Sequence, residues 1–367
     1  MLFRSTHVRD GGRLLWNASG CNYLGLLHHP ALLEAMASAV REGPFHTGAS
    51  RATTGEHRRY IEAERLLARF LRLEAAVLLP TGYMASLAAM QALASHATHV
   101  AIHPAAHACL RDGALLSGLG PVAGWDGTPE GWAGCKRRMP PRSRVVMAMD
   151  GVAPAGGHVA DLPGCLAGLP RDGWLLVDDA HGVGVLGRRG SGTAEHHGID
   201  DRRVVVTGSL AKAMGLQGGF VAGPSAVVAS ARESAAFVGS TAPPMAMAAG
   251  LHAALQVLRH EPGRIRALQE RAAWFHGQVC DIPGIRSHPA SPVVALHPGT
   301  RARARRLAGA LSKAGIHPPF IRYPSGPRDG FFRFALNALH AWDDLERLVG
   351  VIRGCAGAGR PDGGRGT

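Results

Sequence analysis

The chain has 367 residues, of which 46% are hydrophobic and 18% are charged, and its formal net charge is +13 at pH 7. This length exceeds one ordinary domain and predicts two. No apolar run is long enough to cross a bilayer, the first residues lack a signal-peptide segment, and no basic run is interleaved with aromatic residues, which argues against membrane-spanning, secreted and nucleic-acid-binding proteins.

The first part of the chain predicts an arm followed by an α/β domain. A short strand signal precedes a helix opened by Pro30, and the small-residue loop at 48–55 precedes an amphipathic helix over about 56–72. From residue 75 onward, apolar runs alternate with helical stretches, a pattern typical of a mostly parallel sheet flanked by helices. The predicted strands are 75–79, 99–102, 144–149, 174–178, 203–207 and 219–222.

The last third of the chain predicts a smaller α/β domain. Helices near 243–258 and 262–278 lead into a strand at 293–297, a helix at 301–314, a strand at 331–336 and a helix at 342–353. The tail is rich in Gly, Arg and Pro, which is typical of disorder. We therefore predict an arm (1–40), a large domain (41–255), a small C-terminal domain (256–355) and a disordered tail (356–367).

Lys212 is one of only three lysines, and it follows a β-branched run that begins at Val204, within a segment of small residues. This pattern predicts an amine at the mouth of a buried sheet, where a planar ligand can approach. A desolvated lysine loses part of its preference for the charged form and can bond to a carbonyl cofactor as a Schiff base. Lys136 and Lys313 look like ordinary solvated charges.

A second signal is the apolar run from Trp174 that ends in Asp178, Asp179, Ala180 and His181. Carboxylates at the C-terminal end of a strand face the crevice in which open α/β sheets bind ligands. Pyridoxal 5'-phosphate (PLP) needs a carboxylate that keeps its ring nitrogen protonated and a lysine that holds its aldehyde. A strand ending in aspartate, followed by a strand and a lysine loop, predicts a PLP site.

In these motifs the chain resembles the α-oxoamine synthases, a branch of the fold-type I PLP-dependent enzymes. The similarity begins with Asn-Tyr-Leu-Gly-Leu at 22–26, passes through 178–182 and the lysine loop, continues to Ser-Thr-Ala-Pro-Pro at 240–244, and weakens towards Arg333. It implies an α/β transferase whose large domain has a mostly parallel mixed sheet flanked by helices, plus a smaller C-terminal α/β domain. It also implies a homodimer with shared active sites.

The resemblance assigns most of the cofactor site. Lys212 would hold PLP and remove the α-proton of the substrate, and Asp178, the first acid of its pair, would contact the ring nitrogen. Alternation along the strand turns Asp179 to the opposite face. His107 would stack on the cofactor ring, and His181 would hydrogen-bond its phenolic oxygen.

The cofactor phosphate would lie at the turn formed by Thr81, Gly82 and Tyr83. This turn joins a predicted strand to a predicted helix, and helix N-termini suit phosphates, although a simple connecting turn has the same appearance. Ser209, three residues before the lysine, and Ser240, from the neighbouring subunit, would add hydroxyl groups. These residues complete the implied phosphate site.

The implied reaction is a decarboxylative Claisen-type condensation. A small amino acid (glycine, alanine or serine) would combine with an acyl thioester of CoA or an acyl carrier protein to give an α-amino ketone. Asn22 and Arg333 match the family residues that hold the amino-acid carboxylate. An arginine on a buried strand is costly without an anionic partner, which agrees with that role.

Two departures leave the acyl substrate open. Where the family has Glu-Gly-x-x-Ser at the cofactor, this chain has Asp-Gly-Val-Ala-Pro at 150–154, so the acid at Asp150 is shorter and a hydroxyl is missing at Pro154. The arm before residue 22 is also short. Other PLP reactions on the same scaffold (aldolase, racemase or aminotransferase) remain alternatives, as does a non-catalytic synthase subunit.

Other sequence patterns point to no further cofactor. The glycines at 182–187 fit GxGxxG, but the residues that follow make a poor helix, which a dinucleotide site requires. The histidines lack metal-site spacing, and the six cysteines lack CxxC spacing, which favours reduced thiols in the cytoplasm. The positive charge, mostly from arginine, predicts a diffuse basic surface that can attract CoA or a carrier protein.

Overall fold

The computed structural model describes residues 2–4, 6–322 and 329–357. The chain divides into two compact units. The large unit comprises residues 24–154 and 159–265. The terminal unit comprises residues 1–23, 155–158 and 266–367. Most of the predicted tail, 358–367, lies outside the described residues.

The terminal unit begins with a three-stranded antiparallel sheet, formed by β1 (Leu2–Arg4), β2 (His7–Asp10) and β3 (Arg13–Trp16). The glycine pair at 11–12 joins β2 to β3 with positive φ at both residues, which a tight two-residue hairpin turn requires.

The large unit is built on a seven-stranded sheet. Its strands are β4 (Ala75–Leu79), β5 (His99–Ile102), β6 (Gly120–Pro121), β7 (Val145–Asp150), β8 (Trp174–Asp178), β9 (Val204–Ser209) and β10 (Gly219–Gly223). They lie in the order β4-β10-β9-β8-β7-β5-β6, and β10 is antiparallel to both of its neighbours. The central strands are apolar along almost their whole length because helices cover both faces of such sheets.

Ten α-helices and a short 3-10 helix, Leu26–His28, accompany this sheet among the described residues. The helices are α1 (Pro30–Glu42), α2 (Arg58–Leu71), α3 (Gly82–Ala94), α4 (Ala108–Ser117), α5 (Pro129–Arg138), α6 (Leu162–Gly168), α7 (Thr193–His196), α8 (Ser225–Glu233), α9 (Ala235–Val238) and α10 (Met245–His260). The small side chains of α3 allow it to lie buried between the sheet and α4.

The rest of the terminal unit is a four-stranded antiparallel sheet with three helices. The sheet has the order β11-β12-β14-β13. Its strands are β11 (Ile285–Arg286), β12 (Val293–Leu296), β13 (Phe320–Ile321) and β14 (Phe331–Ala335), and the helices are α11 (Gly263–Val279), which begins in the large unit, α12 (Arg301–Lys313) and α13 (Trp342–Gly357).

The predicted fold class is confirmed: a mostly parallel mixed sheet flanked by helices, and a smaller α/β unit. The predicted arm, 1–40, is divided in the structure. Its first part joins the terminal unit because backbone hydrogen bonds tie Trp16 to Gly315 and Ala18 to Ala335. Its second part, α1, belongs to the large unit. No helix among the described residues is both long and apolar enough to cross a membrane.

Candidate active site

Three neighbouring strands of the large sheet end at one edge and carry polar side chains there. In the parallel register, Asp150 of β7 lies opposite Asp178 of β8, and Asp178 lies opposite Thr207 of β9. This is the carboxyl edge of the sheet, where α/β folds bind ligands. The sequence therefore brings two carboxylates and the lysine loop after β9 to one place.

Asp178 is 6% exposed and accepts hydrogen bonds on both carboxylate oxygens. The backbone N–H of Ala180 donates to Oδ1 at 3.1 Å. The hydroxyl of Ser86 on α3 and the thiol of Cys109 on α4 donate to Oδ2 at 3.1 and 3.2 Å. Three donors and no acceptor suit an ionised carboxylate held in one orientation.

Asp179 has a different environment, on the opposite side of the strand end. Its oxygens accept from the backbone N–H and the hydroxyl of Thr193, at 2.7 and 2.5 Å. Burial raises the pKa of Asp179 to about 6, against the hydrogen bonds from Thr193, which lower it. The backbone at Gly182 and Gly192 lies so close to the carboxylate of Asp179 that a Cβ at either position would clash with it. Asp179 therefore stabilises this loop and is enclosed by it.

Lys212 lies in a closed loop between β9 and β10. The N–H of Leu210 donates to Gly218 at 2.9 Å, and the N–H of Leu216 donates to Leu210 at the same distance. Gly215 has a φ of 67°, and a Cβ there would lie 2.8 Å from the backbone of Leu26, so only glycine fits. The loop thereby fixes the backbone that carries a half-buried lysine.

The strand-to-helix turn predicted at Thr81, Gly82 and Tyr83 is present. Thr81 caps α3 by accepting from the N–H of Met84 at 3.2 Å. A Cβ on Gly82 would lie 2.8 Å from the Cβ of Ser209, so glycine lets the start of α3 meet the end of β9. Free amides at the first turn of a helix and a nearby hydroxyl are suitable for an anion.

His107 caps α4 beside both carboxylates. Its backbone N–H donates to Asp150 at 2.8 Å, and its ring Nδ1 accepts from the N–H of Cys109 at 3.4 Å. The ring is exposed and lies edge-on to Tyr83, with centroids 6.2 Å apart. Partial desolvation lowers the pKa of His107, the charge of Asp178 opposes that shift, and the charge of Lys212 adds to it.

The pKa of Asp150 depends on several other residues of the site. Burial first, and then the charge of Asp178, raise the pKa of Asp150 well above its usual range, while the amide of His107 and the charge of Lys212 lower it. The charges of Asp178 and Lys212 therefore both shift the pKa of His107 and that of Asp150. Of the predicted cofactor residues, these four lie together at the carboxyl edge of the large sheet.

The remaining predicted residues lie in several places. His181 is buried in the turn after β8, and residues 182–190 contain no helix. Ser240 follows α9, and its hydroxyl donates to the carbonyl of Ala236 at 2.6 Å. Among the described residues, no group of three or more His, Cys, Asp or Glu could hold a metal ion.

Asn22 and Arg333 belong to the terminal unit. Arg333 is 6% exposed on β14, and its guanidinium donates to the carbonyl of Gly20 at 3.3 Å and to the hydroxyl of Tyr23 at 3.4 Å. Asn22 is buried, and its backbone carbonyl accepts from the side chain of Asn337. The structure thus brings the segment around Asn22 and Arg333 together within this unit.

Sequence reasoning missed Ser86, Cys109 and Thr193, which hold the two aspartates. Ser86 is one turn after Gly82 in an alanine-rich helix, and Cys109 is two residues after His107. A polar residue on an otherwise small, apolar helix face was the available signal for Ser86. Only the tertiary contact with Asp178 identifies the role of Cys109.

The large unit thus provides an amine, a hydrogen-bonded carboxylate and a helix N-terminus at one edge of its sheet. A PLP molecule presents an aldehyde, a ring nitrogen that binds a proton and a phosphate, and these groups match the three features in chemistry. The half-buried Asp150, whose pKa is raised, and the buried Asp178 also suit a cationic ring because a positive charge would relieve their repulsion. The residues present fit the cofactor.

Comparisons with known proteins identify the family. The family model "Aminotransferase class I and II" matches residues 17–352. The 8-amino-7-oxononanoate synthase of Thioalkalivibrio sulfidiphilus is 34% identical over an alignment 368 positions long, which covers 96% of this chain and 93% of that protein. The protein of the same name from Chromohalobacter salexigens is 35% identical over 342 residues, covering 92% and 88%.

Among solved structures, serine palmitoyltransferase from Sphingomonas wittichii matches with a TM-score of 0.89 at 24% identity, covering 97% of this chain and 91% of that one. The 8-amino-7-oxononanoate synthase of Francisella tularensis matches with a TM-score of 0.74 at 21% identity, covering 92% and 96%. At these identities the structural likeness shows the fold alone.

Proposed function

The chain belongs to the class I and II aminotransferase family, in its α-oxoamine synthase branch, and we propose that it condenses a small amino acid with an acyl thioester, with loss of CO2. Its cofactor is PLP. The observation that carries the proposal is the pairing of Asp178, hydrogen-bonded on both oxygens at the end of β8, with Lys212 in the loop after β9.

PLP, when bound, supplies an aldehyde that bonds to amines and a protonated ring that withdraws electrons from the substrate α-carbon. In the proposed site, Lys212 would hold the aldehyde, Asp178 would keep a proton on the ring nitrogen, and His181 would donate to the phenolic oxygen. The ring of His107 would stack on the cofactor ring and exclude water from it. Asp150 holds the backbone of His107 in place.

The phosphate is proposed to bind to the N–H groups of Gly82 and Tyr83 and to the hydroxyls of Thr81 and Ser209. These groups lie at the first turn of α3 and at the end of β9. A helix N-terminus contributes both free amides and a favourable dipole for an anion. In addition, Ser240 of a second subunit is proposed to reach this phosphate.

The proposed reaction forms one carbon–carbon bond and breaks two bonds, the acyl C–S bond and the bond between the α-carbon and the carboxylate. The amine of Lys212 takes the proton from the α-carbon of the amino acid, and this carbon then bonds to the acyl carbon of the thioester. The thiolate leaves the acyl carbon and takes a proton from solvent, the carboxylate leaves as CO2, and the α-carbon takes back the proton held by Lys212. Arg333 and Asn22 are proposed to bind the amino-acid carboxylate through charge-assisted hydrogen bonds.

The thioester partner is proposed to be anionic, as CoA and acyl carrier proteins are. The positive charge of the chain lies mainly in the terminal unit, whose sequence has 18 basic and 8 acidic residues, against 22 and 19 in the large unit. On α12, Arg301, Arg303, Arg305 and Arg306 are all exposed, and the first turn contains no acidic residue. An excess of positive charge attracts such partners and speeds their association.

The working unit is proposed to be a homodimer with shared sites, active in the cytoplasm. If Ser240→Ala is inactive alone, as Lys212→Ala is expected to be, mixing the two proteins should restore part of the activity because one of the two sites in a mixed dimer is then intact. Native mass spectrometry confirms that the subunits have exchanged. Exchange without recovered activity would contradict shared sites.

The proposed reaction can be tested by a spectroscopic screen of free amino acids against the purified holoenzyme. The correct substrate should change the visible absorbance of the cofactor, and addition of an acyl-CoA or acyl carrier protein should then release free thiol. Lys212→Ala should retain the fold and release none. Conversion of the cofactor to its amine form with a keto acid as product, and no need for a thioester, would identify an aminotransferase instead.

A further inference from the structure

Two side chains that the proposed reaction does not use directly converge on one oxygen of Asp178. The hydroxyl of Ser86 lies 3.1 Å from Oδ2, and the thiol of Cys109 lies 3.2 Å from it. Ser86 and Cys109 are 0% and 2% exposed, so water does not compete for these bonds. They come from different helices, α3 and α4, and approach the carboxylate together.

Ser86 also connects the carboxylate to the next strand. Its hydroxyl lies 3.3 Å from the hydroxyl of Thr207 on β9, which is itself fully buried. Because Thr207 lies opposite Asp178 in the parallel register, these hydroxyls and the carboxylate form a small network across two strands and α3. A buried polar network of this kind fixes the orientation of its members.

Cys109 in addition connects Asp178 to His107. Its backbone N–H donates to Nδ1 of the imidazole at 3.4 Å, and its sulfur lies 3.0 Å from the same nitrogen. Because the N–H makes Nδ1 an acceptor, a neutral ring carries its proton on Nε2, and the single thiol proton can be given to Asp178. Burial, followed by the charge of Asp178, raises the pKa of this thiol far above its usual range, so it keeps that proton.

We propose that Cys109 and Ser86 are positioning residues: together they orient the carboxylate of Asp178, and Cys109 also fixes the ring of His107. This inference rests on the proposed function, in which Asp178 supports proton removal from the substrate. Without these donors the carboxylate rotates within its pocket, and its hold on the cofactor ring nitrogen weakens.

Cys165 provides a matched control. It is also a buried free cysteine, but its thiol lies 3.9 Å from the sulfur of Met149 and belongs to α6 rather than to the cluster around Asp178. The variants are therefore Cys109→Ala, which removes the donor, Cys109→Ser, which restores one, and Cys165→Ala. Ser86→Ala removes the second donor.

The first test is the infrared S–H stretching band of the holoenzyme, which does not depend on turnover. The difference between wild type and Cys109→Ala isolates the band of Cys109, and the corresponding difference for Cys165→Ala isolates that of Cys165. The Cys109 band should lie at lower frequency, because a carboxylate is the stronger acceptor, and Asp178→Asn should shift it upward. A Cys109 band that coincides with that of Cys165 and does not respond to Asp178→Asn would overturn the proposal.

The second test is exchange of the substrate α-proton with deuterated water in the absence of a thioester. Cys109→Ala should slow this exchange about tenfold, which corresponds to an increase of about 1.4 kcal/mol in the activation free energy. KM should change little, because the hydrogen bond from Cys109 to Asp178 supports removal of the α-proton and not substrate binding. Cys109→Ser should recover most of the rate, and Cys165→Ala should exchange at the wild-type rate. Equal rates in the two alanine variants would contradict a positioning role.

Proton exchange occurs in condensation, racemisation and transamination alike, so this test stands if the thioester reaction proves wrong. If no amino acid exchanges its proton, the proposed function fails, and the infrared arm still decides whether Cys109 orients Asp178. Thermal unfolding of all variants, with and without PLP, distinguishes a variant in which the carboxylate of Asp178 is mispositioned from one that has lost its fold.

Discussion

Asp179→Asn should change the pH dependence of stability because Asp179 is a buried acid that serves the fold. The side chain is 1% exposed and receives both of its hydrogen bonds from Thr193. An amide can keep this geometry: its oxygen accepts from the backbone N–H, and its amino group donates to the hydroxyl. The substitution therefore removes a titratable group without opening a cavity.

The magnitude follows from the pKa of Asp179, which burial raises from 3.8 to about 6. Because the folded chain binds this proton more tightly than the unfolded chain, the stability that the group contributes is present below about pH 4. That contribution is lost as the pH rises through 6. Two pKa units correspond to about 3 kcal/mol, so the free energy of unfolding of Asp179→Asn, relative to wild type, should rise by about that amount between pH 4 and pH 7.5.

Urea unfolding of both proteins at a series of pH values, at constant ionic strength and with PLP removed, measures this difference. Groups that titrate in both proteins, Asp150 included, cancel in the comparison. As a control, Asp178→Asn should reduce the rate of α-proton exchange strongly while leaving the fold intact. If the stability difference between wild type and Asp179→Asn stays constant from pH 4 to pH 7.5, the reasoning about Asp179 is wrong.

Two further changes test the fold and the thioester partner. Arg51→Met should lower the free energy of unfolding by about 2–3 kcal/mol, measured by urea unfolding, because the buried carboxylate of Glu64 loses the charged hydrogen bond from this guanidinium at 2.5 Å and keeps the ion pair with Arg232. Arg305→Glu combined with Arg306→Glu should raise KM for the acyl thioester about tenfold, with little change in kcat, since each exposed charge contributes up to about 1 kcal/mol. The same charge reversal at 136–137 on α5 is the control, and an equal rise in KM there would contradict a specific basic surface.

The sequence predicted the large sheet well because its strands are short apolar runs between helical stretches. The predicted strands at 75–79, 99–102 and 174–178 have the bounds found in the structure, and those at 144–149, 203–207 and 219–222 differ by one or two residues at one or both ends. Asp178 and Lys212 were identifiable because Asp178 is the last residue of such a strand and Lys212 follows the next strand by three residues. The pattern of apolar residues and its position along the chain were sufficient to predict these strands and the two residues.

The network around the two aspartates could not be predicted in the same way. Cys109 and Ser86 precede Asp178 by 69 and 92 residues, and Thr193 follows Asp179 by 14. Which helix side chain meets which carboxylate depends on how α3 and α4 pack on the sheet, and this packing leaves no periodic signal in the sequence. The division of the arm at residue 23 likewise depends on backbone hydrogen bonds with residues near 315 and 335.

The most direct test of the proposed function is a product balance with an amino acid labelled at its carboxyl carbon. Holoenzyme supplied with that amino acid and an acyl-CoA or acyl carrier protein should release one labelled CO2 and one thiol for each amino ketone formed, and Lys212→Ala should release neither. Labelled CO2 without thiol, thiol without CO2, or a labelled keto acid in place of both would contradict a decarboxylative condensation.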